Sequence, residues 1–541
     1  MTRETLYDAF TNVKDELVDE AANPRMPVVK RRVNWLKWGS IAAAVVLVLG
    51  AGGWWTLSHW RLGASSAGCG GHEDGSTVFM SYAGPVFPLT ALDGGEGVTA
   101  ERKLTYDFSP WIKTWWSNED EANSRPNLTD EERQEVLNDC NEWYPEGGRW
   151  QSSTDLLVTD AYTLENPTEE DRTVKLLYPF VSSLYELPDD TPSLRLDGAV
   201  LETTLHTGGY TGTYCGPDGP EDPKGWNVDR FHSWEDCKTL LESGSYQESA
   251  FASYPDLSDV PAIVYEFTDP QGDGSGAATI QAGFDLDYTK TMVLSWGFNG
   301  GSFGYEAGRE TKDYFIPQPQ ARDWNVPRYL IVLGDDIQNI TTQGYANGGC
   351  KPGEERDFTV KVRRYETSLE EVLQTAAREM YPWQEDLGLD LDLDFAMYFG
   401  LMKENLVACG VLSDYPAERY SAGMLEELDF LNVDRVFYLE AEVTVPAGSS
   451  ITLTAEMTKE ASYDYYCAHT ENQDIYGYDM VTKLGSTLDF TSQSAKTLHT
   501  DGLEIVRQNY GFDWANEVNE VELDQSVEHY YLEVRRAAER E

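Results

Sequence analysis

Positive charge is scarce in this chain. It carries 41 Lys and Arg against 93 Asp and Glu, a formal net charge of −52 over 541 residues. A surface of that sign repels polyphosphate, which excludes DNA and RNA as partners. Catalytic signatures are scarce as well: no HExxH, no Walker loop and no GxGxxG occurs. The chain is therefore expected to be a binding protein rather than an enzyme, with no cofactor. Cysteine is absent from the first 68 residues, and seven follow: Cys69, Cys140, Cys215, Cys237, Cys350, Cys409 and Cys467. No CxxC and no Cys/His zinc spacing is present, so no structural zinc site is expected. Finally, residues 38–60 lack Asp, Glu, Lys and Arg altogether.

That last absence reads as a transmembrane helix at 37–60. As a helix, the 23 uncharged residues span roughly 35 Å, enough for a hydrocarbon core of about 30 Å. Trp35 and Trp38 sit at one end and Trp54, Trp55 and Trp60 at the other, where indoles favour the headgroup level. Arg25, Lys30, Arg31, Arg32 and Lys37 precede the run, and flanking positive charge stays in the cytoplasm. Lys30, Arg31, Arg32 and Lys37 are thus the topology signal: N-terminus inside, remainder outside. The apolar run is too long, and begins too late, for a cleaved signal peptide. The small-residue stretch GASSAGCGG offers the competing cleavage or lipidation site.

Residues 1–60 hold seven basic and six acidic side chains, so the remainder carries a net charge of −53. The acidity is expected outside, together with every cysteine, which fits an oxidising exterior. Cys215 and Cys237 flank a Gly/Pro/Asp-rich loop and form the expected disulfide. Seven is odd, so at least one thiol remains unpaired or joins another chain, and Cys69 in the stalk suits that role.

The tail, 1–36, reads as one amphipathic helix. Leu6, Phe10, Val13 and Leu17 recur at helical spacing on one face, and Asn23-Pro24 stops it. Its polar positions are acidic, so an anionic leaflet repels it, and the apolar stripe is expected to dock a cytoplasmic partner. Self-association and a spacer role are the alternatives. The order YDAFTNVKDELVDEA, KRR, WLKWGSIAAAVVLVLG resembles the N-terminus of single-pass proteins of Clostridia-type bacteria, some of them similar to membrane-bound anti-sigma regulators. The resemblance implies a role in regulating an extracytoplasmic-function sigma factor. The tail has no His and no Cys, so a zinc-dependent version is ruled out.

Beyond a stalk at 61–76, strand patterns alternate with turn clusters. Strands are expected at Leu156 to Glu165, Thr173 to Phe180, Ser193 to Thr207, Pro261 to Thr268, Ala278 to Phe284, Thr289 to Trp296, Arg328 to Leu333 and Asp357 to Arg364. A helical block follows, with a capping box at Ser368 and Glu371, a second stripe through Phe395, Phe399, Met402 and Leu406, and a third helix at Met424 to Leu431. Alternation then resumes at Leu439 to Val445 and Ile451 to Met457, read as a hairpin across Pro446-Ala447-Gly448-Ser449. The expected fold is mainly β with an α+β part: a β-sandwich-like domain at 77–366 and an α+β domain at 367–541, with a helical insertion. GGSFGYEAG is read as a hairpin turn, and DPQGDGSG departs from a calcium loop at its third and twelfth positions. In SPWIKTWWSN, Trp111, Trp115 and Trp116 read as the buried stripe of a helix or as a glycan-stacking face.

The expected function is a single-pass membrane protein, its acidic outer region binding or sensing a ligand while the tail reports to a partner inside. A passive surface binder of glycan or protein is the alternative.

Overall fold

The computed structural model describes residues 82–537, except 125–127, 211–233, 305–307, 317–327, 382–394, 409, 413–422, 429 and 464–471. The tail with Leu6, Phe10, Val13 and Leu17, the basic cluster, the span 38–60, the stalk and Cys215 lie outside the described residues. Among those described, no helix is long and apolar enough to cross a membrane. The protein is mainly β, with several sheets. It divides into a small unit, described from Lys113 to Ser152, and a large unit holding the other described residues.

The large unit is built on strands that leave one sheet and enter another. Leu156–Asn166 alternates strictly, with every even-numbered residue buried. It pairs with Thr99–Asp107 and Ser449–Lys459 in a seven-stranded sheet. Arg172–Ser182 follows five residues later but pairs with Arg435–Val445 and Thr90–Asp93 in a different, four-stranded sheet. Arg435–Val445 and Ser449–Lys459 repeat the crossing in the opposite direction. The two crossings are tied at their turns. Asn166 Nδ2 donates to the carbonyls of Glu170 (2.8 Å) and Val445 (3.0 Å), and Gly448 N–H donates to Thr168 O (2.9 Å).

This arrangement corrects two expectations. The run Leu439 to Met457 is not a hairpin, because its two strands pair in different sheets. Both geometries need a turn at 446–448, where Gly448 takes φ +60°, so alternation alone cannot separate them. Nor does 366/367 separate domains: Arg435–Val445 aligns residue by residue with Arg172–Ser182, and Ser449–Lys459 with Leu156–Asn166. Sandwich formation joins residues 253 (Ser182 and Arg435) to 303 (Leu156 and Lys459) positions apart.

Two further layers flank this sandwich. Tyr476–Val481, His529–Arg536 and Leu503–Gln508 form a sheet whose Tyr478, Leu532 and Val534 pack with Tyr106, Phe108 and Trp111. The helices Trp234–Ser243 and Ser245–Ala250 place Cys237 and Tyr246 against Leu177, Val436 and Tyr438. Arg435–Val445 is consequently buried on both faces over its first five residues.

Residues 261–368 form a second sandwich. Its four-stranded sheet runs Thr291–Trp296, Arg328–Gly334, Pro261–Gln271, Thr359–Ser368; its five-stranded sheet centres on Thr279–Asp285. Phe267, Ile280, Phe284, Tyr314, Leu330 and Val332 fill the space between them. The outer face of the four-stranded sheet is covered by helices Leu369–Met380 and Phe395–Ala408, whose Leu373, Ala376, Tyr398 and Met402 join Leu294, Trp296 and Ile331 in one core.

Smaller corrections are local. Ser193 to Thr207 is three strands, Ser193–Leu196, Ala199–Val200 and Thr204–Tyr210, because Asp197 (φ +47°) and Gly198 (φ +86°) turn the chain. Ser368 accepts from Glu371 N–H as expected, but the Glu371 carboxylate takes the Thr367 hydroxyl instead of closing the box. Among the described residues of 424–431, the only helical element is a 3-10 turn at Leu425–Glu427.

Candidate functional site

The small unit offers the most exposed aromatic surface among the described residues. Thr114–Ser117 and Gly148–Gln151 form an antiparallel ribbon in which Trp115 faces Trp150 and Trp116 faces Arg149. Two helices lie between the strands in sequence, Asn118–Asn123 and Asp130–Trp143. Both begin with a reciprocal capping box, at Ser117/Asp120 and Thr129/Glu132. The Ser117 hydroxyl and N–H hold the Asp120 carboxyl below the usual carboxylate range, and the Thr129 N–H and hydroxyl do the same for Glu132. Both helix starts therefore keep their charge at neutral pH.

The ribbon's two faces differ. On one, Trp116 Nε1 and Arg149 both donate to Glu121 Oε2, each at 3.2 Å, and the Arg149 guanidinium lies 4.8 Å from the Tyr144 ring centre. On the other, Trp115 and Trp150 meet edge to face, 5.5 Å apart at 74°, while remaining 42% and 65% exposed. Gly148 makes room for this: a Cβ there would lie 2.9 Å from the Trp115 ring and 2.4 Å from the Trp116 carbonyl. The unit is also acidic. Residues 113–152 carry ten Asp or Glu against four Lys or Arg, a net charge of −6.

The segment SPWIKTWWSN thus divides. Trp111 is buried in a 3-10 turn, its indole N–H donating to Tyr478 Oη at 3.1 Å. Trp115 lies on the open ribbon face, and Trp116 is half-buried on the other. A helical stripe is ruled out by the strand at Thr114–Ser117. Trp150 escaped the sequence reading. The turn Gly147-Gly148 before Arg149-Trp150 was the signal for a second short strand, but nothing local names its partner.

Other sequence candidates resolve into structural roles. In DPQGDGSG, Asp269 pairs with Lys361 at 2.6 Å and Asp273 accepts from Ser275 N–H at 2.9 Å. GGSFGYEAG contains Gly-x-Ser-x-Gly spacing at 300–304, but those residues form a strand paired with Arg309–Phe315, not the strand-to-helix elbow a nucleophile needs. Ser302 Oγ lies 3.0 Å from Thr311 Oγ1. Cys237 is buried in its helix. Among the described residues, no group of three or more His, Cys, Asp or Glu is arranged to hold a metal ion.

Two clusters of titratable groups in the large unit bear on its strands and helices. Asp479, 1% exposed, receives the Tyr82 hydroxyl at 2.7 Å and lies 2.9 Å from His529 Nε2, whose ring stacks on Trp234 at 4.7 Å and 11°. The pair joins adjacent strands and seats the helix Trp234–Ser243 on them. The second cluster surrounds Lys459, which donates to Ala83 O. Burial lowers the Lys459 ammonium pKa, and burial together with neighbouring carboxylates pushes Asp190 and Asp434 up to about 7. No known protein family matches the chain, and no curated protein or solved structure matches it either.

Proposed function

We propose that this chain is a membrane-anchored surface protein that binds a ligand outside through the Trp115–Trp150 ribbon, with its tail docking a partner inside. The observation that carries the proposal is the exposed pair itself. Two indoles that fold with so much of their surface in water forgo burial worth about 1.5–3 kcal/mol for a large apolar side chain. In a chain that buries Trp111 and Trp296 fully, exposure of a paired aromatic face marks contact with something else. Anchorage by 37–60 and the inward orientation rest on the charge step at Lys30, Arg31, Arg32 and Lys37. Regulation of an extracytoplasmic-function sigma factor through Leu6, Phe10, Val13 and Leu17 rests on the apolar stripe and on the resemblance of the N-terminus.

The test uses full-length protein in detergent, passed over immobilised cell-envelope material. A variant carrying Trp115→Ala and Trp150→Ala is run beside it. Retention of the parent and release of the variant is the expected result; equal retention overturns the assignment of the ribbon. A third sample with Leu6, Phe10 and Leu17 changed to Asp addresses the tail. Loss of a captured cytoplasmic protein from that sample alone supports signalling, and unchanged capture leaves a passive binder.

A further inference from the structure

We infer that the ligand of the Trp115–Trp150 ribbon is a lysine- or arginine-bearing segment of another protein. This deepens the proposed function and rests on the ribbon being the binding surface. Three features of the small unit point to it.

The first is ring geometry. A sugar chain stacks on aromatic faces that lie roughly in one plane. Trp115 and Trp150 are instead inclined at 74° with centroids 5.5 Å apart. Two steeply inclined indoles form a corner, which presents negative π-density toward a single compact cation. Gly148 fixes that corner, because any larger residue would meet the Trp115 ring and the neighbouring backbone.

The second is charge. Helix Asp130–Trp143 has one buried residue, Cys140, and Asp130, Glu131, Glu132, Glu135 and Glu142 are exposed on it. It contributes Asp130, Glu131, Glu132, Glu135, Asp139 and Glu142. At a Debye length of about 8 Å in physiological salt, such a helix biases the potential over its own small unit. Anionic glycans and anionic lipid are repelled, and cationic side chains are attracted.

The third is the disposition of the ribbon's own cation. Arg149 is drawn to the opposite face by Glu121 and Tyr144, so its guanidinium does not fill the corner. A cation supplied by a partner meets no competitor from Arg149 there.

The test measures tryptophan emission of the full-length protein during titration with oligolysine, with the same peptide acetylated on every lysine, and with a neutral oligosaccharide. Because a protein of net charge −52 attracts any polycation, the decisive comparison is between parent and Trp150→Ala, which differ in no charge. Loss of one exposed cation–π partner is expected to weaken oligolysine binding about three- to thirty-fold. Trp150→Phe, which keeps a π-face, should recover part of that loss, and acetylated peptide should bind neither. Equal oligolysine affinity of parent and Trp150→Ala overturns the inference, since attraction would then be charge alone. A neutral sugar bound by the parent and lost from Trp150→Ala overturns the ligand class but leaves the ribbon as the binding surface. Failure of every probe to distinguish the two proteins overturns both.

Discussion

Two of the places where the large unit buries charge treat it in opposite ways. At the first, Arg102 and Asp160 are both fully buried and fully matched. Nε and Nη2 of Arg102 meet the two Asp160 oxygens at 2.8 Å each, while the remaining donors reach Val481 O (2.7 Å) and Phe87 O (3.1 Å). Asp160 Oδ2 also accepts the hydroxyls of Tyr162 (2.6 Å) and Tyr178 (3.2 Å). Burial alone would lower the Arg102 pKa, but Asp160 overrides it and the group is held charged. At the second, the single ammonium of Lys459 faces Asp479, Asp190, Glu460 and Asp434, with Glu186 beside the last three. One-to-one pairing makes a staple in which each charge has its counter-charge. One cation among many carboxylates makes a cluster that must hold protons.

The sharpest way to break this comparison is to unbalance the matched pair. Arg102→Met leaves the buried Asp160 carboxyl without its cation, and should cost about 3–5 kcal/mol. Urea unfolding of the variant measures it. Adding Asp160→Leu should restore much of that loss, since burying neither ion is cheaper than burying one. If the single variant unfolds at the parent's urea midpoint, Arg102 is not what holds these strands together.

The mismatched cluster predicts a stability that depends on pH. The folded pKa values of Asp190 and Asp434 are about 7, above the carboxylate value near 4 of an unfolded chain. Their contribution is fully present below about pH 4, falls as pH rises through 7, and is flat beyond. Asp434→Asn carries no charge at any pH. It should match the parent at pH 4 and exceed it at pH 8 by about 1–3 kcal/mol, less than two independent sites would give because the carboxylates share protons. Thermal melts at the two pH values decide it, and a variant destabilised equally at both would place Asp434 as a packing residue only.

How much of this was legible follows from range. The strands at 156–166 and 172–182 show themselves, because alternation is a property of neighbours in sequence. Their partners do not, since Asn166 and Val445 meet across 279 positions. The same limit made an arch look like a hairpin at 446–448 and a domain boundary seem natural at 366. Asp160 sits on the buried face of its strand in plain view, but only the fold brings Arg102 opposite it. At the ribbon, three tryptophans were visible in six residues, yet their fates diverge: Trp111 goes to the core and Trp115 to solvent. Trp150 needed the strand pairing to be seen at all.

The smallest predicted effect tests how far matching extends within the staple. Tyr162 and Tyr178 both donate to Asp160 Oδ2, but their positions differ. Tyr162 makes the shorter bond and its oxygen also accepts from Leu89 N–H at 3.0 Å. Tyr178 makes only the longer bond, to an oxygen already served by Arg102 and Tyr162. Tyr178→Phe should therefore cost no more than about 1 kcal/mol, because no buried group is left without a partner. Tyr162→Phe strands the Leu89 N–H and should cost about 1–3 kcal/mol. Urea midpoints of the two variants give the order. If Tyr178→Phe proves the more damaging, the staple depends on the number of donors to Asp160 rather than on satisfying each buried group, and its contrast with the Lys459 cluster narrows to a difference of degree.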